Sequence, residues 1–169
     1  MTRSEFKDLA ARHILRLDGA TGTELAKRGM PAGVCPEAWI LDHPDAILDV
    51  QRSYAAAGSD IVYAPTFGAN PLKLAEFGLE ERTEELNREL AKLSRRALPP
   101  DRYVFGDIAP TGKLIEPYGE LAFEETVELY KRQIRALLAS ESLDGFAIET
   151  MMDLQEARAA LIAVRELSD

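Results

Sequence analysis

Apolar and polar positions along this chain fall into two alternating patterns. Short apolar runs that end at a polar residue occupy residues 14–17, 60–63, 103–105 and 145–148. Between them, apolar residues recur every three or four positions, the spacing of a helix with one buried face. A short helix is predicted over residues 4–12, capped by Ser4, with Phe6, Leu9 and Ala10 on one side. Another runs from about 22 to 28. Pro44 reads as the first position of a helix whose buried side carries Ile47, Val50, Tyr54 and Ala57, and Gly58 ends it. Leu86, Leu90, Leu93 and Ala97 mark a further helix, closed by Pro99-Pro100. Phe123, Val127, Tyr130, Ile134 and Leu137 give the cleanest amphipathic stretch. The last helix, capped by Asp153, has Leu154, Ala157, Leu161 and Val164 as its expected stripe.

The runs begin near residues 14, 61, 103 and 146, one strand-plus-helix unit apart. Four alternations of strand and helix predict an α/β fold with a parallel sheet and right-handed crossovers. A length of 169 residues suits one domain, residues 1–169. Residues 29–39 are rich in Gly and Pro and read as a long loop, with Trp39 either a pocket wall or a packing residue.

Charge and composition narrow the function classes. A net charge of −9 disfavours nucleic acid and anionic membrane as partners. No apolar run reaches a membrane span, and residues 1–13 hold no apolar signal core, so a cytoplasmic protein is the expectation. Cys35 is the single cysteine, which excludes an internal disulfide and a multi-cysteine metal site made by this chain alone. It reads as an unremarkable free thiol, and His13 and His43 read as structural.

The candidate chemistry sits where the runs end: Asp18, Thr66, Asp107 and Glu149. In a parallel α/β protein the carboxyl ends of the strands gather on one face, where ligands bind. Carboxylates there suit an ammonium group. The small-residue turn of Gly19, Ala20 and Thr21 suits a ligand carboxylate, because backbone N–H groups come close where no large side chain blocks them. The turn lacks the spacing of a dinucleotide fingerprint and the Lys of a phosphate loop. A zwitterionic amino acid, gripped at both ends, is the ligand this pattern fits.

Four ordered motifs carry a resemblance. They are Leu17-Asp18-Gly19-Ala20-Thr21-Gly22-Thr23, Gly58-Ser59-Asp60-Ile61-Val62 with Thr66-Phe67-Gly68-Ala69, Gly106-Asp107-Ile108-Ala109-Pro110-Thr111-Gly112, and Glu149-Thr150-Met151-Met152-Asp153. Together they resemble the homocysteine S-methyltransferase family, in particular the homocysteine-binding module of cobalamin-dependent methionine synthase. The resemblance implies a TIM-type (β/α)₈ barrel, of which this chain would be the first half, four units of eight. It implies methyl transfer to the thiol of homocysteine, activated by zinc on three cysteines, to give methionine. Asp18 and Glu149 would then meet the substrate amino group, and Gly19, Ala20 and Thr21 its carboxylate, with Thr66 and Asp107 as further contacts. Pro65 departs from the family, many of whose members have Asn there.

The family's zinc cysteines lie in the second half of its barrel, so the ligands are expected beyond Asp169, with no metal residue in this chain. Methylcobalamin is the methyl donor implied by family type, with betaine or S-methylmethionine as alternatives. A half-barrel leaves open edges, which implies a complementing half-barrel chain or self-association. The alternative reading is a non-catalytic fragment or assembly module that binds a small amino acid without methyl transfer.

Overall fold

The structure is a computed structural model that describes residues 1–12 and 14–168. The expectation for His13 therefore falls outside the described residues. Among these, eight α-helices and three strands follow the order α1 (Arg3–Arg12), α2 (Gly22–Lys27), α3 (Pro36–Asp42), α4 (Pro44–Ala57), β1 (Ile61–Tyr63), α5 (Pro71–Ala75), α6 (Thr83–Ala97), β2 (Tyr103–Ile108), α7 (Phe123–Leu138), β3 (Gly145–Ile148) and α8 (Leu154–Leu167). A turn of 3₁₀ helix at Glu80–Arg82 precedes α6. No helix among them is long and apolar enough to cross a membrane.

The sheet is parallel, in the order β1-β2-β3. Ile61 pairs with Tyr103 and Tyr63 with Phe105, while Phe105 pairs with Gly145 and Ile108 with Ile148. Alternate side chains go to opposite faces. Val62 and Val104 pack with Leu48, Ala97 and Leu98 on the helix-covered face. Ile108, Phe146 and Ile148 meet α7 and α8 there, through Tyr130, Ile134, Leu137, Ala159 and Ala160. Ile61, Tyr63, Phe105 and Asp107 alternate with these and face the other way. On that second face α1 lays Phe6 against Phe105, with ring centroids 6.0 Å apart.

The run at 14–17 does not form the full strand expected. It meets β1 in one parallel bridge, Leu17 to Ile61. Two successive amides, those of Asp60 and Ile61, both donate to the Arg16 carbonyl, at 2.8 and 3.1 Å. The Asp60 carboxylate also accepts from the Arg16 amide at 2.9 Å and from its guanidinium Nε at 3.1 Å. Doubling two donors onto one acceptor breaks the even ladder of a parallel pair. Ile14, expected in the core, is 88% exposed.

Three other elements differ. The loop at 29–39 gives way at Pro36 to α3, which carries Trp39. Trp39 stacks on His43 at 4.3 Å and packs against the α3/α4/α6 core, so it is a packing residue. The third run extends through Gly106 and Asp107 to Ile108, which places Asp107 inside the strand. In α8 the buried face is Glu156, Ala159, Ala160 and Ala163, while Leu154 and Leu161 are exposed. Alanines let α8 lie close to α7, and that close packing outweighs the larger leucines in choosing the face.

Candidate functional site

A cleft of about 700 Å³ opens at the carboxyl ends of the strands. Its floor and walls include Asp18, Gly19, Ala20, Thr21, Asp107 and Glu149, which the sequence singled out. Thr66 does not line it. Glu37, from α3, does.

Each carboxylate is placed by the end of a strand. Asp18 follows the Leu17 bridge; its amide donates to the Ile61 carbonyl at 3.0 Å, and its Oδ2 accepts from the Tyr63 amide at 3.1 Å. The side chain thus continues the ladder where the backbone leaves it. Asp107 sits one residue before the end of β2. Since β1 stops at Tyr63, the backbone of Asp107 needs another partner on that side, and Thr66 supplies it. Its Oγ1 accepts from the Asp107 amide at 3.1 Å and donates to the Asp107 carbonyl at 2.9 Å. Thr66 is therefore a brace for Asp107, wholly buried behind the wall. Glu149 follows β3, its amide bonded to the Ile108 carbonyl at 3.0 Å. The next residue, Thr150, takes a left-handed backbone at φ 56°, which costs a branched residue energy and turns the chain sharply toward α8.

The turn after Asp18 is held from outside. The Tyr54 hydroxyl donates to the Ala20 carbonyl at 3.0 Å. A Cβ at residue 19 would come within 2.9 Å of that hydroxyl, so Gly19 permits the close approach. Among the described residues, the amides of Gly19, Ala20 and Thr21 donate no hydrogen bond within the protein.

Electrostatically the cleft is one-sided. Burial, chiefly, and then the charges of Glu149, Asp18 and Glu37 push Asp107 up to about 8. One of its oxygens, Oδ1, is buried with no hydrogen-bond partner among the described residues. Asp18 rises to about 6, again mainly through burial, opposed by the amides of Tyr63 and Asp18 and aided by Glu149. Tyr63 is also held above the ordinary phenol range, by burial and by the same three carboxylates, Glu149, Asp107 and Asp18. Lys73 lines the cleft, but its ammonium is bonded to both oxygens of Glu76, at 2.9 and 3.0 Å. Phe67 and Phe77, both partly exposed, stand on the cleft lining.

Cys35 lies behind Glu37. Its thiol donates to Glu37 Oε2 at 3.3 Å, and Glu37 Oε1 accepts from the Gly68 amide at 2.8 Å. Burial first, with the Glu37 carboxylate adding to it, pushes the Cys35 thiol up to about 11, the opposite of a reactive thiolate. Among the described residues no group of three His, Cys, Asp or Glu side chains is placed to hold a metal ion.

Several of these residues had no sequence motif to point at them. Pro36 followed by Glu37 is a helix-start signature that would have placed Glu37 at the head of α3. Glu156, in α8, is buried and accepts from the Thr111 amide at 2.8 Å, the Thr111 hydroxyl at 2.7 Å and the Tyr130 hydroxyl at 3.0 Å. One carboxylate thereby ties the loop after β2 to α7 and to the helix that follows Glu149. Gln133 adds a tie from α7 to the Thr66 carbonyl at 3.0 Å.

Comparison with known proteins agrees with this geometry. A family model described as homocysteine S-methyltransferase matches residues 15–168. Among solved structures, the homocysteine methyltransferase MmuM from Escherichia coli is similar in fold. Its metallated form aligns with a TM-score of 0.81 at 23% identity, covering 96% of this chain and 62% of that one. Its oxidized form gives 0.76 at 25% identity, covering 90% and 58%. This chain thus spans about three fifths of the length of those proteins. With the family model matched over nearly its whole length, the chain belongs to the homocysteine S-methyltransferase family.

Proposed function

We propose that this chain is the amino-acid-binding part of a homocysteine S-methyltransferase of the methionine synthase type, folded as the first half of a (β/α)₈ barrel. The observation that carries the reading is the convergence of Asp18, Asp107 and Glu149 with the Gly19, Ala20 and Thr21 turn in one cleft. Asp18 and Glu149 take the substrate ammonium, with Asp107 beneath them. The amides of the turn take the substrate carboxylate. Charge-assisted hydrogen bonds of this kind contribute roughly 1.5–3 kcal/mol each. Held at its amino-acid end, the substrate has its sulfur-bearing arm oriented by the rest of the cleft, which is the contribution of these residues to methyl transfer.

The half-barrel part of the reading is supported by the uncovered parts of the fold. Every residue of β3 is only partly buried, and Leu154 and Leu161 of α8 are exposed beside it. These are the surfaces a further strand and helix, from a complementing chain or a second copy, would cover.

The family's zinc does not fit the donors of this chain. Cys35 is one thiol, it is bonded to Glu37, and its environment keeps it protonated. No step of the reaction is routed through these residues as metal ligands. The thiol is activated by groups outside them, and the methyl donor is met there too.

Calorimetry with L-homocysteine tests the reading. Binding should weaken at least tenfold in Asp18→Asn and in Glu149→Gln, and L-homoserine, which keeps the amino-acid end, should still bind. Unchanged affinity in both variants would refute it.

A further inference from the structure

Asp107 is the group in the cleft whose environment is unresolved by the protein itself. It is 5% exposed, it lines the cleft, and its Oδ1 has no partner among the described residues. Buried polar atoms are nearly always hydrogen-bonded, so an orphaned oxygen on a residue that lines a ligand cleft marks a place for a donor from outside. The groups facing it from each neighbouring element make the need sharper. Glu149 after β3, Asp18 before α2 and Glu37 on α3 are all acidic, and Tyr63 on β1 is a phenol. The cation that shares the cleft, Lys73 on α5, is occupied by Glu76. A carboxylate in this position cannot hold its charge cheaply until a cation arrives.

We propose that Asp107 matches the charge of the cleft to its ligand, holding a proton in the free protein and releasing it to solvent when an ammonium group enters. The inference rests on reading the cleft as an amino-acid site and adds a selection rule to it. A cationic ligand replaces a proton already present: the ammonium binds, the Asp107 carboxyl loses H⁺ to water, and the net charge of the cleft is unchanged. A ligand of the same shape without the ammonium has no proton to displace and leaves Asp107 neutral. Binding of the ammonium ligand therefore tightens as pH rises from about 5 toward 8, while Asp107 in the free protein still carries its proton. The hydroxyl of Thr66, bonded to both the amide and the carbonyl of Asp107, keeps the backbone that carries the carboxyl in place through the change.

The test uses the whole chain and two readouts. Carboxyl ¹³C NMR follows Asp107 in the free protein, with Asp107→Asn as the assignment control. Methylammonium chloride and L-homocysteine are the probes, and sodium chloride controls for ionic strength. Asp107 should titrate near 8 in the free protein and fall by about three units with either ammonium probe, far enough to empty it of its proton at pH 7. Calorimetry at pH 7 in phosphate and in Tris should count close to one proton released per homocysteine bound, and 4-mercaptobutyrate should release none. The wild-type titration and the two-buffer count stand even if the variant does not fold. An Asp107 that titrates near 4 in the free protein overturns the proposal, as does one that neither probe moves. Equal proton release with 4-mercaptobutyrate overturns it too. If methylammonium lowers Asp107 but homocysteine does not, charge matching stands and the homocysteine reading falls.

Discussion

The two faces of the sheet are built from the same strands and do opposite work. On the helix-covered face Val62, Val104 and Ile108 are fully buried among alkyl and aromatic groups that fill space and need no partners. One residue along each strand, on the second face, Tyr63 and Asp107 sit beside Asp18 and Glu149 at the mouth of the cleft. There, burial raises the cost of charge instead of lowering the cost of apolar surface. The first face stabilises the fold. The second uses part of that stability to hold carboxylates where water would not leave them protonated.

Substitutions on the two faces should therefore separate stability from binding. The largest expected loss is on the covered face: Ile108→Ala opens a cavity between β2 and α7 and should lower unfolding free energy by about 3 kcal/mol in urea titration. Asp107→Asn should do the reverse on the cleft face. Because the carboxyl is raised to about 8 in the folded state, the folded protein holds a proton that the unfolded chain has released between about pH 4 and 8. Wild-type stability should therefore fall as pH rises through that window, and the Asn variant should lose less. The cleft opens to water, which discounts the full linkage, so we expect the variant to gain about 2 kcal/mol on wild type between pH 4 and pH 8. Equal pH slopes would erase the distinction between the faces.

Glu156→Gln tests the tie that joins them. It keeps the shape and one acceptor oxygen but removes the negative charge from the Oε1 position that takes all three Thr111 and Tyr130 donors, and should cost about 1.5 kcal/mol along with a several-fold loss of homocysteine affinity. Tyr54→Phe removes only the hydroxyl that holds the Ala20 carbonyl, and should cost under about 1 kcal/mol while loosening the turn by a few-fold in affinity. The smallest effect belongs to the outer surface, where replacing Lys27, whose side chain is 70% exposed and paired with Glu24, should leave the urea midpoint essentially unchanged.

Much of the covered face was legible in the sequence because its chemistry is periodic. The stripes on α6 and α7 and the runs at β1, β2 and β3 name their own elements. Legibility failed where burial is decided by something other than hydropathy. Alanine is ambiguous in a stripe, so the buried side of α8 read as Leu154 and Leu161 when close packing on α7 had chosen Ala159, Ala160 and Ala163. Ile14 and Leu17 look like a core strand, and only the doubled bonds at Arg16 show that the segment ends as a single bridge. On the cleft face the junction residues Asp18, Asp107 and Glu149 could be picked out because each ends an apolar run. Glu37 and Glu156 could not, since a charged residue on a helix looks solvated until the partner it reaches, far along the chain, is known; Tyr54 read as part of a buried stripe, with nothing to show that its hydroxyl reaches Ala20. Thr66 was visible as a loop hydroxyl, but its place behind the wall follows from β1 ending two residues too early to bond Asp107.

The cleft face, as we read it, binds an ammonium group and carries little of the fold's stability. The most direct test is L-homocysteine calorimetry on wild type and Asp18→Asn, run beside thermal unfolding of both. Affinity should fall at least tenfold while the melting temperature moves by no more than about 3 °C, the scale of a change of about 1 kcal/mol in a chain of this length. Unaltered affinity, or a loss of affinity that only accompanies unfolding, would contradict it.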